Sequence, residues 1–158
     1  MLFRSMPIVL RSHAYRVRLI GANKDSRIIK EKPMQGYENY FIGNDPARWA
    51  SRCRSYQSIT YKDIYPNIDL RYYLEGDKLK YDFVIHPGGR VADIRLHYEG
   101  ADKLAVENKM LHLYTSVGDM LEKSPFTYQF QSGIRNTVSC KYRLRGNYVN
   151  FDVGYYDR

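Results

Sequence analysis

The apolar positions of this chain recur with a period of two over much of its length. Ile68, Leu70, Tyr72 and Leu74 alternate with Asp69, Arg71 and Tyr73. After Glu75-Gly76-Asp77-Lys78, a second run of Leu79, Tyr81, Phe83 and Ile85 alternates with Lys80, Asp82 and Val84. Such alternation is the signature of strands with one buried face. A two-residue turn at Gly76-Asp77 suits a primed hairpin, because glycine tolerates positive φ. That turn predicts a register: Leu74 opposite Leu79, Tyr72 opposite Tyr81, Leu70 opposite Phe83, and Ile68 opposite Ile85. On the other face it sets Glu75 opposite Lys78 and Arg71 opposite Asp82, the latter as an ion pair. A slip of one residue would turn every apolar side chain to the wrong face.

The same reasoning predicts two more hairpins. One turns at Gly146-Asn147 and sets Leu144 opposite Val149, Tyr142 opposite Phe151, and Lys141 opposite Asp152. The other turns at Asn108-Lys109 and pairs Val106 with Leu111 and Leu104 with Leu113. Val17 and Leu19, alternating with Arg16 and Arg18, predict a further strand, as do Ile94, Leu96 and Tyr98. Residues 119–131 read as one or two strands interrupted by Ser124-Pro125. Residues 24–37 are polar and aperiodic and read as a surface connection. Asp45-Pro46 is a helix-start signal, which predicts one short helix near residues 46–52 carrying Trp49. The expected fold is all-β: an antiparallel β-sandwich, or a related open barrel, of about eight to ten short strands with that one helix. No repeat of fixed period is present, which argues against a propeller within these residues.

Composition sharpens this picture. At 158 residues, one domain is the expectation: a single β-rich domain over 15–158 behind a ragged arm at 1–14. Within that arm Leu2-Phe3-Arg4-Ser5 matches the translation of a common sequencing adapter and reads as a non-native start. The 16 tyrosines against 6 phenylalanines and 1 tryptophan favour half-buried strands. The formal net charge of +8 makes anionic partners worth weighing. No apolar run approaches the roughly 18 residues that span a membrane, and Met1 to Leu10 does not form a secretory leader. Cys53 and Cys140 are too few for a disulfide framework or a structural zinc site. They read as two half-buried thiols or, in an oxidising compartment, as one bridge.

Candidate chemistry is sparse. The four histidines (His13, His86, His97 and His112) lack metalloprotease spacing. His86 reads as a loop residue before Pro87-Gly88-Gly89, and that glycine-rich loop lacks the Lys-Ser/Thr of a phosphate loop. Asp69 and Asp82 could form an acid/base couple, but the hairpin register turns Asp82 towards Arg71 instead. No catalytic residue, metal or cofactor is expected. The most distinctive block is Asn39-Tyr40-Phe41-Ile42-Gly43-Asn44-Asp45-Pro46 with Trp49. As a ligand loop it would offer Asn39, Tyr40, Gly43, Asn44, Asp45 and Trp49 to a cation or a sugar hydroxyl. The favoured reading is local: Asn and Asp bond backbone and cap the helix, Gly43 makes the turn, and Trp49 plugs the sheet edge. Basic residues near tyrosines, such as Arg16/Arg18 and Lys141/Arg143/Arg145, fit a single-stranded nucleic acid surface. Their spread along the chain disfavours it.

Several blocks together resemble a known family. They are Asn39–Pro46 with Trp49; Tyr61, then Ile64-Tyr65-Pro66-Asn67-Ile68-Asp69-Leu70; Tyr81-Asp82-Phe83-Val84; Ile94, Leu96 and Tyr98 with Gly100-Ala101-Asp102-Lys103-Leu104; Tyr128-Gln129; and Val153-Gly154-Tyr155-Tyr156-Asp157. The chain resembles, over roughly residues 15–158, a bacterial domain of unknown function that precedes SBBP-type β-propeller repeats. Members of that family are commonly large secreted or surface proteins, some with type IX sorting tails. Asn67 stands where the family usually has glycine, and asparagine is the next best residue for a left-handed turn. The family's usual upstream segment is missing here. The resemblance implies an extracellular or cell-surface location and no catalytic residues. It also implies a non-enzymatic structural or adhesive module, with neighbouring domains of the same polypeptide as partners. A carbohydrate-binding module is the alternative, with an acidic glycan or cell-surface polymer as partner; nucleic acid stands third.

Overall fold

The computed structural model describes residues 9–157; the reading of Leu2–Ser5 as a non-native start lies outside them. Among the described residues strand accounts for 56% and helix for 4%, with no helix of 7 or more residues. The sheets are antiparallel throughout, so the all-β, sandwich-like expectation holds. Two compact units are present. The first comprises residues 9–21 together with Val91–Asp157, and the second comprises Ala22–Arg90.

The first unit opens with β1 (Arg16–Leu19). The second holds β2 (Arg27–Pro33), β3 (Glu38–Tyr40), β4 (Ala50–Cys53), β5 (Tyr56–Tyr65), β6 (Ile68–Glu75) and β7 (Lys78–Ile85). The chain then supplies the rest of the first unit: β8 (Leu96–Glu99), β9 (Lys103–Glu107), β10 (Met110–Tyr114), β11 (Met120–Glu122), β12 (Thr127–Gln131), β13 (Ile134–Val138), β14 (Cys140–Arg145) and β15 (Tyr148–Val153). These strands outnumber the expected eight to ten: β3, β4 and β11 are too short to leave much periodicity, and the longer β2, β5 and β13 were not among the expected strands.

In the first unit β1-β8-β15-β14 form one sheet and β11-β10-β9 another. Ile94, Leu96, Tyr98, Leu111, Leu113 and Val149 are buried. Two tyrosines tie the layers together. The Tyr98 hydroxyl, from β8, donates to Glu122 of β11 at 2.8 Å, and that of Tyr142, from β14, donates to the Lys123 carbonyl at 3.0 Å. Burial, with the Glu122 charge adding to it, pushes the Tyr98 pKa well above the usual tyrosine range. The described part of the N-terminal arm is anchored at His13, whose Nε2 donates to the Gly100 carbonyl at 2.6 Å.

The predicted hairpin registers hold pair for pair. Leu74 faces Leu79, Tyr72 faces Tyr81, Leu70 faces Phe83 and Ile68 faces Ile85. The Gly146-Asn147 and Asn108-Lys109 hairpins pair as expected, and Lys141 bridges Asp152 at 3.3 Å. Gly76 (φ 64°) and Gly146 (φ 57°) take the positive φ that their turns require. In the third turn Asn108 (φ 50°) and Lys109 (φ 65°) are both left-handed. A lysine is strained there, whereas Asn-Gly is the preferred pair. Lys109→Gly is therefore expected to stabilise the domain by about 0.5–1 kcal/mol, because the relieved strain exceeds the added chain entropy. Thermal unfolding checks this; a lower midpoint contradicts it.

Three expectations need correction. Residues 24–37 are not simply a connection, since they contain β2, an edge strand paired from Arg27↔Lys62 to Pro33↔Tyr56. An edge strand can be wet on both faces, which erased the alternation, and it tolerates a proline. The helix begins where Asp45-Pro46 predicts, with the Asp45 side chain accepting from Ala47 N, but it is a single 3-10 turn, Pro46–Arg48. Pairing of β4 with β3 takes over at Ala50, and a second 3-10 turn lies at Val91–Asp93. Finally, Arg71 and Asp82 face each other without an ion pair. Arg71 reaches Glu31 at 3.9 Å and lies over the Tyr73 ring, while Asp82 accepts from the Tyr73 hydroxyl at 3.4 Å.

Candidate functional site: a carboxylate-pinned bulge and two exposed apolar surfaces

The most connected polar group in the second unit is Asp69. The period-two pattern puts it on the wet face of β6, yet it is only 3% exposed. The reason is a bulge. Tyr61 pairs with Leu70 and Tyr65 with Ile68, so Lys62, Asp63 and Ile64 of β5 face the single residue Asp69. Asp63 takes a positive φ of 51° to make this possible. Such an insertion leaves backbone groups without ladder partners. Asp69 Oδ1 accepts from Asp63 N at 2.9 Å, and Oδ2 accepts from Lys62 Nζ and from His86 Nε2, the latter at 2.8 Å. The bulge carbonyls are met from the residues before β2: Ser26 Oγ donates to Lys62 O, and Asn23 N donates to Ile64 O.

Burial alone would raise the Asp69 pKa. The hydrogen bonds from Lys62, His86 and Asp63, with the Lys62 charge, more than offset it and hold the carboxyl at about 2. Asp69 is thus an ionised acceptor with protein donors on both oxygens. This is the chemistry of a structural pin, and the couple with Asp82 is not formed. His86, read as a loop residue, closes the corner. Its backbone N donates to Asn67 O, and Asn67 holds the left-handed φ of 57° that the Pro66-Asn67 turn requires. Gly89 lies so close that a Cβ there would meet Asn67 O at 2.6 Å. The signal for this corner was the phase break after Tyr61, where the next apolar residues are Ile64 and Tyr65 instead of Asp63.

The Asn39–Asp45 block lies on an arm that leaves β2 at Pro33 and returns at β5. Met34 N donates to Ser55 O at its base, and every residue from 30 to 52 is exposed. Asn39 Oδ1 accepts from Arg52 N at 2.9 Å, and Asp45 Oδ1 from Ala47 N at 3.0 Å. Gly43 has a φ of 76°. Two polar side chains of the block are thus turned to local backbone. Tyr40 pairs with Ala50 and is exposed; Asn44 lies at the exposed tip. Trp49 does not plug a sheet edge: it is 42% exposed, its indole N–H donates to Gly43 O at 3.1 Å, and it meets Phe41 edge-on at 5.5 Å.

A second apolar surface lies on the two-stranded sheet β12-β13. Phe126 and Phe130 are 64% and 66% exposed, with Tyr128 between them at ring-centre distances of 5.8 and 5.6 Å. The Arg135 guanidinium lies over the Tyr128 ring at 4.6 Å and over the Phe126 ring at 5.1 Å. The alternation of these residues was visible in the sequence, but whether anything covers them was not.

The remaining candidates are local. His97 stacks on Tyr148 at 4.4 Å, and His112 lies near Tyr114 at 6.2 Å. Cys53 and Cys140 are both free thiols, and burial raises the Cys140 pKa. Among the described residues no group of three or more His, Cys, Asp and Glu is placed to hold a metal ion. Among those same residues no helix is long and apolar enough to cross a membrane.

No curated protein and no solved structure matches this chain. One family model does, over residues 4–158, which takes in both units and the arm. The chain therefore belongs to the family described as domain of unknown function DUF7948.

Proposed function

We propose that this domain is a non-enzymatic structural or adhesive module of a large secreted or cell-surface bacterial protein, working by docking its exposed apolar surfaces. Its partners are neighbouring domains of the same polypeptide, a β-propeller of SBBP-type repeats first among them. The observation that carries this reading is the aromatic row Phe126-Tyr128-Phe130 on a two-stranded sheet. A pair of strands is marginal alone, and contiguous exposed apolar side chains mark interaction surfaces. The commitment of Asp69 to backbone and side-chain donors fits a scaffold role for the best-connected polar group.

Carbohydrate binding is the second reading, favoured by the same exposed aromatics. Nucleic acid binding is weaker, because among the described residues basic exceed acidic by three in each unit and are spread along the chain.

The test is association in trans. The domain and the polypeptide that flanks it in its gene product are expressed separately and their binding is measured by calorimetry. The proposal expects binding that Phe126→Ser/Phe130→Ser weakens by roughly tenfold or more, about 1.4 kcal/mol. No association with either flank, or a gene product without flanking domains, contradicts it.

A further inference from the structure

The arm between β2 and β5 carries a second kind of surface. It is ordered without a core: a backbone bond at its base, the β3-β4 pairing, the Asp45 cap and the Trp49–Gly43 bond hold it. Phe41 and Trp49 are exposed on it and touch each other. Lys32, Arg48, Arg52 and Arg54 lie along the same segment and are all exposed. Among the described residues none of these four cations has a carboxylate partner. Over residues 31–54, from the end of β2 through the arm, the carboxylates are Glu31, Glu38 and Asp45, of which Glu31 serves Ser58 and Arg71 and Asp45 serves the cap.

We propose that this arm binds an acidic polysaccharide, a chain of sugar rings bearing carboxylate groups; the inference rests on the adhesive reading above. Unpaired arginines supply forked donors that match a carboxylate. Exposed aromatic faces give the apolar side of a sugar ring a place to stack. The charge balance chooses between anionic polymers. Four cations against three carboxylates leave a small excess, which suits a sparsely charged polymer. A nucleic acid carries a charge at every nucleotide and is held by many phosphate contacts.

Trp49 is the sole tryptophan, so its emission reports on the arm directly. The full chain is titrated with hyaluronate, which bears a carboxylate on every second ring, with dextran as the uncharged control and oligothymidylate as the nucleic acid control. The proposal expects an emission change with hyaluronate alone, lost as salt is raised. Arg48→Gln/Arg52→Gln/Arg54→Gln, with an unchanged circular dichroism spectrum, should bind roughly tenfold or more weakly. Lys141→Gln/Arg143→Gln on β14 should bind like the parent. No emission change and no retention on hyaluronate overturns the inference, and so does equal weakening by the β14 variant. Tighter binding of oligothymidylate also overturns it, in favour of nucleic acid. A chain that fails here and still associates with its flanking polypeptide loses this inference and keeps the module reading.

Discussion

Asp69→Ala is expected to destabilise the domain by about 3–5 kcal/mol, the cost of breaking a buried ion pair from one side. That is a large share of the total stability of a small domain. The alanine leaves the Asp63 N–H, Lys62 Nζ and His86 Nε2 without the acceptor that now gathers them. It also leaves the two extra residues of β5 held only by the bonds from Ser26 and Asn23 to the bulge carbonyls. Asp69→Asn should fall between parent and alanine, because the amide oxygen can still accept from Asp63 while the charge facing Lys62 is gone. Urea unfolding checks the order; an alanine variant as stable as the parent contradicts the role of the bulge.

The same carboxylate sets a pH dependence of definite sign. Its pKa is lowered from 3.8 to about 2, so the folded state favours the ionised form. The stabilisation is complete above about pH 4, where the group is ionised in both states, and it is lost as the pH falls through about 2. A shift of this size corresponds to about 2 kcal/mol. This counts only the difference between protonation states; the alanine adds the orphaned donors and the lost contacts. The parent's stability should therefore fall more steeply below pH 4 than that of Asp69→Asn. Parallel curves would contradict the assignment.

The second large effect is at Tyr98, one of the most deeply buried side chains. Tyr98→Ala should cost about 3–5 kcal/mol, in line with other buried aromatic truncations. Tyr98→Phe isolates the hydroxyl. It keeps the ring in the first unit's core and removes the donor to Glu122 on the facing sheet, at about 2 kcal/mol for a hydrogen bond to a carboxylate. Thermal unfolding of both variants separates the terms. If Tyr98→Phe were neutral, the hydroxyl would not be holding the two sheets together.

Local rules made much of this fold legible. Two-residue turns fix hairpin register, so Gly76-Asp77 determined that Tyr72 meets Tyr81, now seen with ring centres 6.1 Å apart. The left-handed turn at Asn67 was legible only through the family resemblance, where asparagine replaces the usual glycine. What the residues concealed depends on distant parts of the chain. Asp69 looks like any outward strand residue, because its burial arises from three β5 residues opposing it. Arg71 sits opposite Asp82 as expected, but a register fixes Cα positions and leaves a long side chain free to choose Glu31. The exposure of the arm's apolar residues, and of Phe126, Tyr128 and Phe130, was not legible either. Alternation reveals that one face is apolar, and only tertiary structure reveals whether anything covers it.

The central claim is that this exposed aromatic face is a docking surface, and amide hydrogen exchange of residues 126–135 tests it most directly. Exchange is measured in the isolated domain and in the full-length gene product that contains it. The account predicts fast exchange in the isolated domain, as expected for a two-stranded sheet wet on its aromatic face, and slowing of roughly tenfold or more in the longer chain. Equal exchange rates in the two would contradict it.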